Sequence, residues 1–213
     1  MLAPPELKKI HPLGKSPVIG ITPPGATEPT ILAESGLIVE YLVSHYGKST
    51  TLLPPQWREG QEEQICGETP QWMRYKYFLH YAEGSLMSLL VLALVLLNIK
   101  VNSPFFIRPI ASRIASKVQE AFLDENFETH FAFLEDQLRT APDGGGYLCG
   151  PHLTAADILL SFPLLAARNR LPGLKKDKYP LLWGYIEKLE QEQGYKKAAN
   201  KIIEIEGRFL ASL

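Results

Sequence analysis

The chain contains 213 residues, of which 46% are hydrophobic and 21% are charged, and its formal net charge is −1 at pH 7. This composition is ordinary for a globular protein, and the length suffices for one large domain or two small ones. Non-specific nucleic-acid binding requires a basic surface, so we expect no nucleic-acid partner for a chain this close to neutrality.

The chain has two cysteines, Cys66 and Cys149, which form neither a Cys-x-x-Cys pair nor a Cys/His cluster with zinc spacing. Two reduced thiols in a cytoplasmic protein are the favoured interpretation, and a catalytic cysteine is the alternative. We predict no metal site. The N-terminal stretch M-L-A-P-P-E-L-K-K contains no apolar run, so no secretory signal is expected there.

The N-terminal part of the chain predicts a small α/β unit. Residues 4–10 are typical of the last turns of a helix. Val18–Ile21 and residues 30–32 predict two short strands that a Gly- and Pro-rich loop joins into a β-hairpin. Glu34-Ser35 then opens a helix whose apolar residues repeat with a period of about 3.6 residues, and Gly47 ends it.

After a polar, proline-containing segment, the pattern predicts helices only. They are expected from residue 69 to about residue 100, at 107–139, at 154–167, from residue 179 onwards and at 194–206. The helix that begins at residue 179 is predicted to have one apolar stripe, formed by Leu182, Tyr185, Ile186 and Leu189. We therefore predict a mainly helical α+β fold. It would consist of a small domain at 1–50, a linker at 51–65 and an all-α domain at 66–213.

The most apolar run begins at Leu86 and ends at Leu97. A membrane-spanning helix needs about 20 apolar residues, and this run is shorter. A buried core helix is therefore the favoured interpretation, and a weak association of this run with a membrane is the alternative.

Ser16-Pro17 stands at the entrance of the first predicted strand. X-Pro bonds tolerate the cis form, and a cis bond here would leave backbone N–H and C=O groups of Ser16 free to pair with a peptide-like ligand. A trans proline at a strand edge, with no ligand role, is the alternative, and the spacing does not separate the two.

Glu34-Ser35, at a predicted helix start, is a second candidate binding site. A helix N-terminus offers free N–H groups and a partial positive charge, which together bind carboxylates. The Ser35 hydroxyl can add a hydrogen bond and Glu34 can pair with a ligand ammonium, so the two fit an α-amino acid group. Simple N-capping by Ser35 is the alternative. By contrast, we expect a structural role only for Thr154 and Asp157, which have capping-box spacing.

Together these motifs resemble the glutathione transferase family, and in particular its fungal branch. G-K-S-P-V-I resembles the family's cis-proline segment, and L-A-E-S-G-L-I-V-E-Y-L resembles its glutamyl-binding helix start. G-P-H-L-T-A-A-D-I-L-L resembles the capping-box helix of its all-helical domain. Y-P-L-L-W-G-Y-I-E-K-L-E-Q-E-Q-G-Y-K-K-A resembles its C-terminal region, so the resemblance covers nearly the whole chain.

The resemblance implies a thioredoxin-like N-terminal domain, a helical C-terminal domain, glutathione as cosubstrate, a hydrophobic electrophile as second substrate, and a homodimer. It implies that Ser16 presents its backbone to the cysteinyl unit of glutathione beside cis Pro17, and that Glu34 and Ser35 hold the γ-glutamyl end. Lys15 either reaches the glycine carboxylate or is a solvated surface residue. Four residues of the first long helix are candidates for the second-substrate site, with core packing as the alternative: Tyr75, Tyr77, Tyr81 and Met87.

One part of the family pattern is not matched. In the family, a strand, a helix and a second strand precede the cis-proline segment, and the thiol-activating Tyr, Ser or Cys follows the first strand. This sequence begins in what the resemblance implies is the following helix. We therefore expect a truncated thioredoxin-like domain and assign no catalytic residue. Two functions remain open: conjugation of glutathione to an apolar electrophile, in detoxification or secondary metabolism, and a non-catalytic glutathione-binding, docking or dimerisation module.

Overall fold

The computed structural model describes residues 5–47 and 49–209, and within them the fold is α+β and mainly helical, as predicted. The elements are α1 (Leu7–Ile10), β1 (Val18–Ile21), β2 (Thr30–Ala33), α2 (Ser35–Tyr46), α3 (Pro70–Tyr81), α4 (Ser88–Asn102), α5 (Arg108–Val118), α6 (Asp124–Arg139), α7 (Ala155–Arg170), α8 (Pro180–Gln191) and α9 (Gln193–Glu206). Two π-helical turns, Ala82–Met87 and Gln119–Leu123, join α3 to α4 and α5 to α6, so that two long helices are continuous.

The predicted β-hairpin is present. Strands β1 and β2 pair antiparallel, with Val18 opposite Ala33 and Ile21 opposite Thr30. In the loop between them Gly25 has a φ of +83°, a left-handed conformation that glycine adopts without a Cβ penalty. A two-stranded hairpin is marginal by itself in water, and here α2 packs against both strands and also against α7. Helix α2 therefore ties the hairpin to the helical part.

The hydrophobic core lies mainly in the helical part of the chain, where α3, α4, α6, α7 and α8 contribute most of its side chains. Its largest fully buried members include Phe78, Leu86, Phe131, Leu134, Leu164 and Ile186. Full burial of such a side chain contributes about 1.5–3 kcal/mol of hydrophobic free energy. The predicted apolar stripe of α8 is confirmed, because Leu182, Tyr185, Ile186 and Leu189 are all buried.

The first turn of α7 is held by Asp157, whose side chain is 0% exposed. With Thr154 it forms the predicted capping box. The Asp157 carboxylate accepts hydrogen bonds from the Thr154 N–H at 2.8 Å, the Thr154 hydroxyl at 2.6 Å, the Leu148 N–H at 3.2 Å and the Tyr185 hydroxyl at 2.6 Å. Burial disfavours the charged form and raises the pKa of Asp157. Its role is structural, as expected.

Both cysteines are free, Cys66 at the surface and Cys149 in the core. Burial raises the pKa of the Cys149 thiol to about 12, so it stays protonated and unreactive at neutral pH. Within the described residues, no group of three or more His, Cys, Asp or Glu side chains is placed to hold a metal ion.

In the described structure, residues 49–69 contain no helix or strand, and one isolated β-bridge joins Trp57 to Glu68. The segment is attached to the helical part, since the Leu52 carbonyl accepts a hydrogen bond of 3.0 Å from the Ala155 N–H. The division of the chain into a domain at 1–50, a linker at 51–65 and a domain at 66–213 stays a prediction.

Candidate functional site

A cavity of about 450 Å³ lies between the N-terminal hairpin and the helical part of the chain. All five residues that the sequence nominated for glutathione line it: Lys15, Ser16, Pro17, Glu34 and Ser35. The register of the hairpin explains why they meet. Val18 pairs with Ala33, so the residues just before β1 lie beside those just after β2. The structure therefore brings the two candidate sites together, while their ligand stays a prediction.

The Ser16-Pro17 peptide bond is cis, so the structure contains the cis turn and not the trans edge-strand proline. Both residues are exposed, and β1 begins at Val18, immediately after them. The backbone of Ser16 thus lies at the rim of the cavity and outside the strand pairing.

The start of α2 differs from simple N-capping by Ser35, and that alternative is wrong. The N-cap residue is Glu34, at φ 73° and ψ 118°, and its side chain makes no capping hydrogen bond. The Ser35 hydroxyl instead donates a hydrogen bond of 2.7 Å to Glu83 Oε1. A non-glycine residue in this left-handed region costs about 1–3 kcal/mol, and such strain clusters at functional sites. The first N–H groups of α2 are therefore capped by neither the Glu34 nor the Ser35 side chain.

The wall of the cavity opposite the hairpin comes from the helical part. Glu83 and Met87 lie in the π-helical turn before α4, and α7 contributes apolar side chains that include Leu159 and Phe162. Of the four residues that the sequence proposed for a second substrate, Met87 thus lines the cavity. This side of the cavity is apolar, apart from the Glu83 carboxylate.

The three tyrosines proposed for the second-substrate site do not line this cavity. Tyr75 and Tyr81 are buried core residues, and the Tyr81 hydroxyl forms a 2.6 Å hydrogen bond with His130 Nδ1. Tyr77 is exposed, and its ring stacks against Tyr81 with 5.8 Å between the ring centroids. For Tyr75 and Tyr81 the core-packing alternative matches their placement, because this face of α3 turns into the core, whereas Tyr77 lies outside both the core and this cavity.

Sequence reasoning missed two polar residues of the cavity, His11 and Glu83. His11 follows α1, and its Nδ1 atom is buried without a hydrogen-bond partner among the described residues. An unpaired buried nitrogen is costly, which makes it a candidate for contact with a ligand. The His-Pro pair before G-K-S-P was visible in the sequence, but only as a helix end. Glu83 had no signal, since 48 residues separate it from Ser35.

The charges around the cavity are of both signs. Lys15 and the N-terminus of α2 provide positive charge, and Glu34 and Glu83 provide negative charge. This arrangement complements a small zwitterionic peptide, which carries carboxylates and an ammonium group.

Comparison with known proteins gives a consistent result. The family model of the glutathione S-transferase C-terminal domain matches residues 108–188. Glutathione S-transferase 1 of Saccharomyces cerevisiae is 33% identical over 200 residues, which are 93% of this chain and 79% of that protein.

Solved structures show the same likeness. A glutathione S-transferase from Actinobacillus pleuropneumoniae is 27% identical with a TM-score of 0.62, over 93% of this chain and 74% of that one. The glutathione transferase URE2P8 from Phanerochaete chrysosporium, solved with oxidized glutathione, is 16% identical with a TM-score of 0.66, over 97% of this chain and 80% of that one. At that identity the second likeness shows the fold alone.

Proposed function

Because the chain belongs to the glutathione S-transferase family, we propose that it binds glutathione in this cavity and transfers the glutathione thiolate to an electrophilic apolar compound. The observation that carries the proposal is the meeting of the cis-proline turn and the uncapped start of α2 around one cavity. Membership of this family supports the choice of glutathione as the ligand. The proposal includes a cytoplasmic homodimer, as the resemblance implies.

The two ends of glutathione find partners of opposite charge. In our proposal the γ-glutamyl carboxylate binds the first N–H groups of α2 and accepts the Ser35 O–H, which turns away from Glu83 when the ligand binds. The Glu83 carboxylate then pairs with the γ-glutamyl ammonium, together with Glu34. Lys15 takes the glycine carboxylate, and the backbone of Ser16 pairs with the cysteinyl unit. Each hydrogen bond to a charged group contributes about 1.5–3 kcal/mol to the binding free energy.

An apolar electrophile would lie against the helical wall of the cavity. Met87, Leu159 and Phe162 provide an apolar surface there, across from the turn that holds the cysteinyl unit. Such a surface binds an apolar compound without selecting one by hydrogen bonds. The proximity of thiol and electrophile then contributes to the rate.

The thiol must lose its proton for the sulfur to attack, and His11 is our candidate for receiving it. Histidine is the residue type that most often exchanges protons near neutral pH, and His11 Nδ1 lacks a partner among the described residues. In the step that we propose, the sulfur–carbon bond forms as the leaving group departs with its electron pair. The thiol proton goes to His11 and then to solvent.

Calorimetry with glutathione on the purified chain, together with a conjugation assay with an aryl halide on the same sample, tests the proposal. Binding with turnover is the expected result. Binding without turnover would instead favour the non-catalytic glutathione-binding module. A folded sample that shows neither would refute both.

The location of the site is tested separately by Glu34→Gln, with Glu28→Gln in the exposed hairpin loop as the matched control. Loss of one charged partner should weaken glutathione binding by about 1.5–3 kcal/mol, which is a rise in Kd of about 10-fold to 150-fold. The Glu28 variant should bind as the unchanged chain does. Equal affinities for all three would place glutathione elsewhere.

A further inference from the structure

A group of large apolar side chains is exposed where the second half of the long helix ends and α5 begins. We call residues 100–122 the α4–α5 tip. Phe105 is 84% exposed and Phe106 is 69% exposed, and their rings touch each other edge to face with 5.6 Å between the centroids. The exposed apolar residues of the tip include Val101, Phe105, Phe106, Ile110, Ile114 and Phe122.

Helix α5 turns its bulky apolar side chains outward. Ile110 and Ile114, one turn apart, are 65% and 61% exposed, while Ala115 on another face is buried. A surface helix of a water-soluble protein usually buries its large apolar residues and exposes its polar ones. Within the described structure nothing covers these isoleucines, so this face of α5 lacks a partner.

The tip is also strongly basic, although the whole chain is nearly neutral. Glu120 is the tip's one acidic residue, against four basic ones: Lys100, Arg108, Arg113 and Lys117. None of the four forms an ion pair with a carboxylate of residues 5–47 or 49–209. Arg113 and Lys117 line the same shallow groove on α5 as Ile114 and Phe122.

We propose that the α4–α5 tip docks on the surface of an anionic lipid bilayer. The two phenylalanines and the outer isoleucines of α5 would enter the boundary between headgroups and acyl chains. The four cations would contact the anionic headgroups. An exposed apolar face flanked by Lys and Arg is the combination by which amphipathic helices bind such surfaces. This inference does not depend on the glutathione site, because no tip residue lines that cavity.

Charge argues against a second copy of the chain as the occupant. A two-fold dimer interface brings the same patch of both subunits together. An interface formed by the tip would place the four cations of one subunit close to the four cations of the other. The repulsion between like charges would weaken such a dimer. An anionic bilayer instead offers the opposite charge to all four cations.

The structure also argues for docking on the membrane rather than crossing it. The continuous helix Pro70–Asn102 is long and apolar enough to span a bilayer, but length and composition alone are weak support. Its first half is built into the core, where Tyr75, Phe78 and Leu79 are buried. In the run from Leu86 to Leu97, one side is held in the core and the other is exposed. The buried residues are Leu86, Leu90 and Leu96, and the exposed apolar ones are Val91, Val95 and Leu97.

Flotation of the full chain with lipid vesicles tests the proposal. One set of vesicles is pure phosphatidylcholine, and the other contains phosphatidylserine as well. We expect at least tenfold tighter binding to the anionic set, with a decrease as salt is added. Absence of binding, or equal binding to both sets, would overturn the proposal.

Two double variants and two matched controls locate the surface. Phe105→Ser/Phe106→Ser and Arg113→Glu/Lys117→Glu should each lower vesicle binding at least tenfold. The controls are Ile65→Ser, at a side chain that is 97% exposed outside the tip, and Lys196→Glu/Lys197→Glu at exposed cations of α9. The controls should bind as the unchanged chain does.

Sedimentation velocity on the same variants excludes the competing occupant. If the tip variants dissociate a dimer while vesicle binding persists, the tip is an interface between copies and the proposal is wrong. Circular dichroism confirms that each variant is folded. Unchanged glutathione affinity of the tip variants would show that the two surfaces are independent.

Discussion

Replacing Asp157 by alanine should cause one of the largest losses of stability in this chain. The side chain is 0% exposed, and its two oxygens accept the four hydrogen bonds from Thr154, Leu148 and Tyr185. Alanine accepts none of them. The Leu148 N–H and the Tyr185 hydroxyl then remain buried without a partner, and α7 loses its capping box.

The magnitude follows from these losses. Each buried donor left unpaired costs about 1–3 kcal/mol, and loss of the cap costs about 1 kcal/mol. Removing a carboxylate whose pKa is raised by burial relieves part of its desolvation cost, so we expect a net loss of about 3–5 kcal/mol. At about 2–4 °C per kcal/mol for a chain of this size, Tm should fall by about 6–20 °C.

Urea unfolding, followed by circular dichroism and by tryptophan fluorescence, measures the change in the free energy of unfolding. Asp136→Ala is the control, because the Asp136 side chain is 55% exposed in its ion pair with Arg139 and should contribute less than about 1 kcal/mol. Tyr185→Phe removes one donor and keeps the carboxylate, so its loss of unfolding free energy should fall between those of Asp157→Ala and Asp136→Ala. A loss for Asp157→Ala no larger than that of the control would refute the reasoning.

Three further predictions concern protons and thiols. His11→Asn should lower kcat for conjugation about 10²-fold or more and change the Kd for glutathione little, as measured by steady-state kinetics and calorimetry; an unchanged kcat would exclude His11 as the proton acceptor. Iodoacetamide should modify exposed Cys66 but not buried Cys149, whose pKa is about 12, until the chain is unfolded; mass spectrometry of the peptides identifies the adduct. Burial lowers the pKa of His130, so the unfolded chain binds this proton more readily, and stability should fall as pH drops below about 6.5. Urea titrations at several pH values should show a weaker fall for His130→Gln, and an equal fall would contradict the assignment.

Local patterns were enough to predict the elements of this fold. The hairpin, the apolar stripe of α8 and the capping box at Thr154 and Asp157 depend on residues close in sequence, so periodicity and cap residues predict them. Ser16-Pro17 and Glu34-Ser35 lie at one cavity because they flank the two strands of a single hairpin, which is also a local feature. These features could be read without tertiary contacts.

Other features depended on contacts between distant segments. The Ser35 hydroxyl donates its hydrogen bond to Glu83, 48 residues away in sequence. Ser35 therefore does not cap the start of α2, although the local sequence alone would suggest that it does. Packing of α3 turned Tyr75 and Tyr81 into the core and left Met87 to the cavity. The periodicity of a sequence shows that a helix has an apolar face, but it does not show which neighbour covers that face. The exposure of the isoleucines of α5 could therefore be learned only from the tertiary structure.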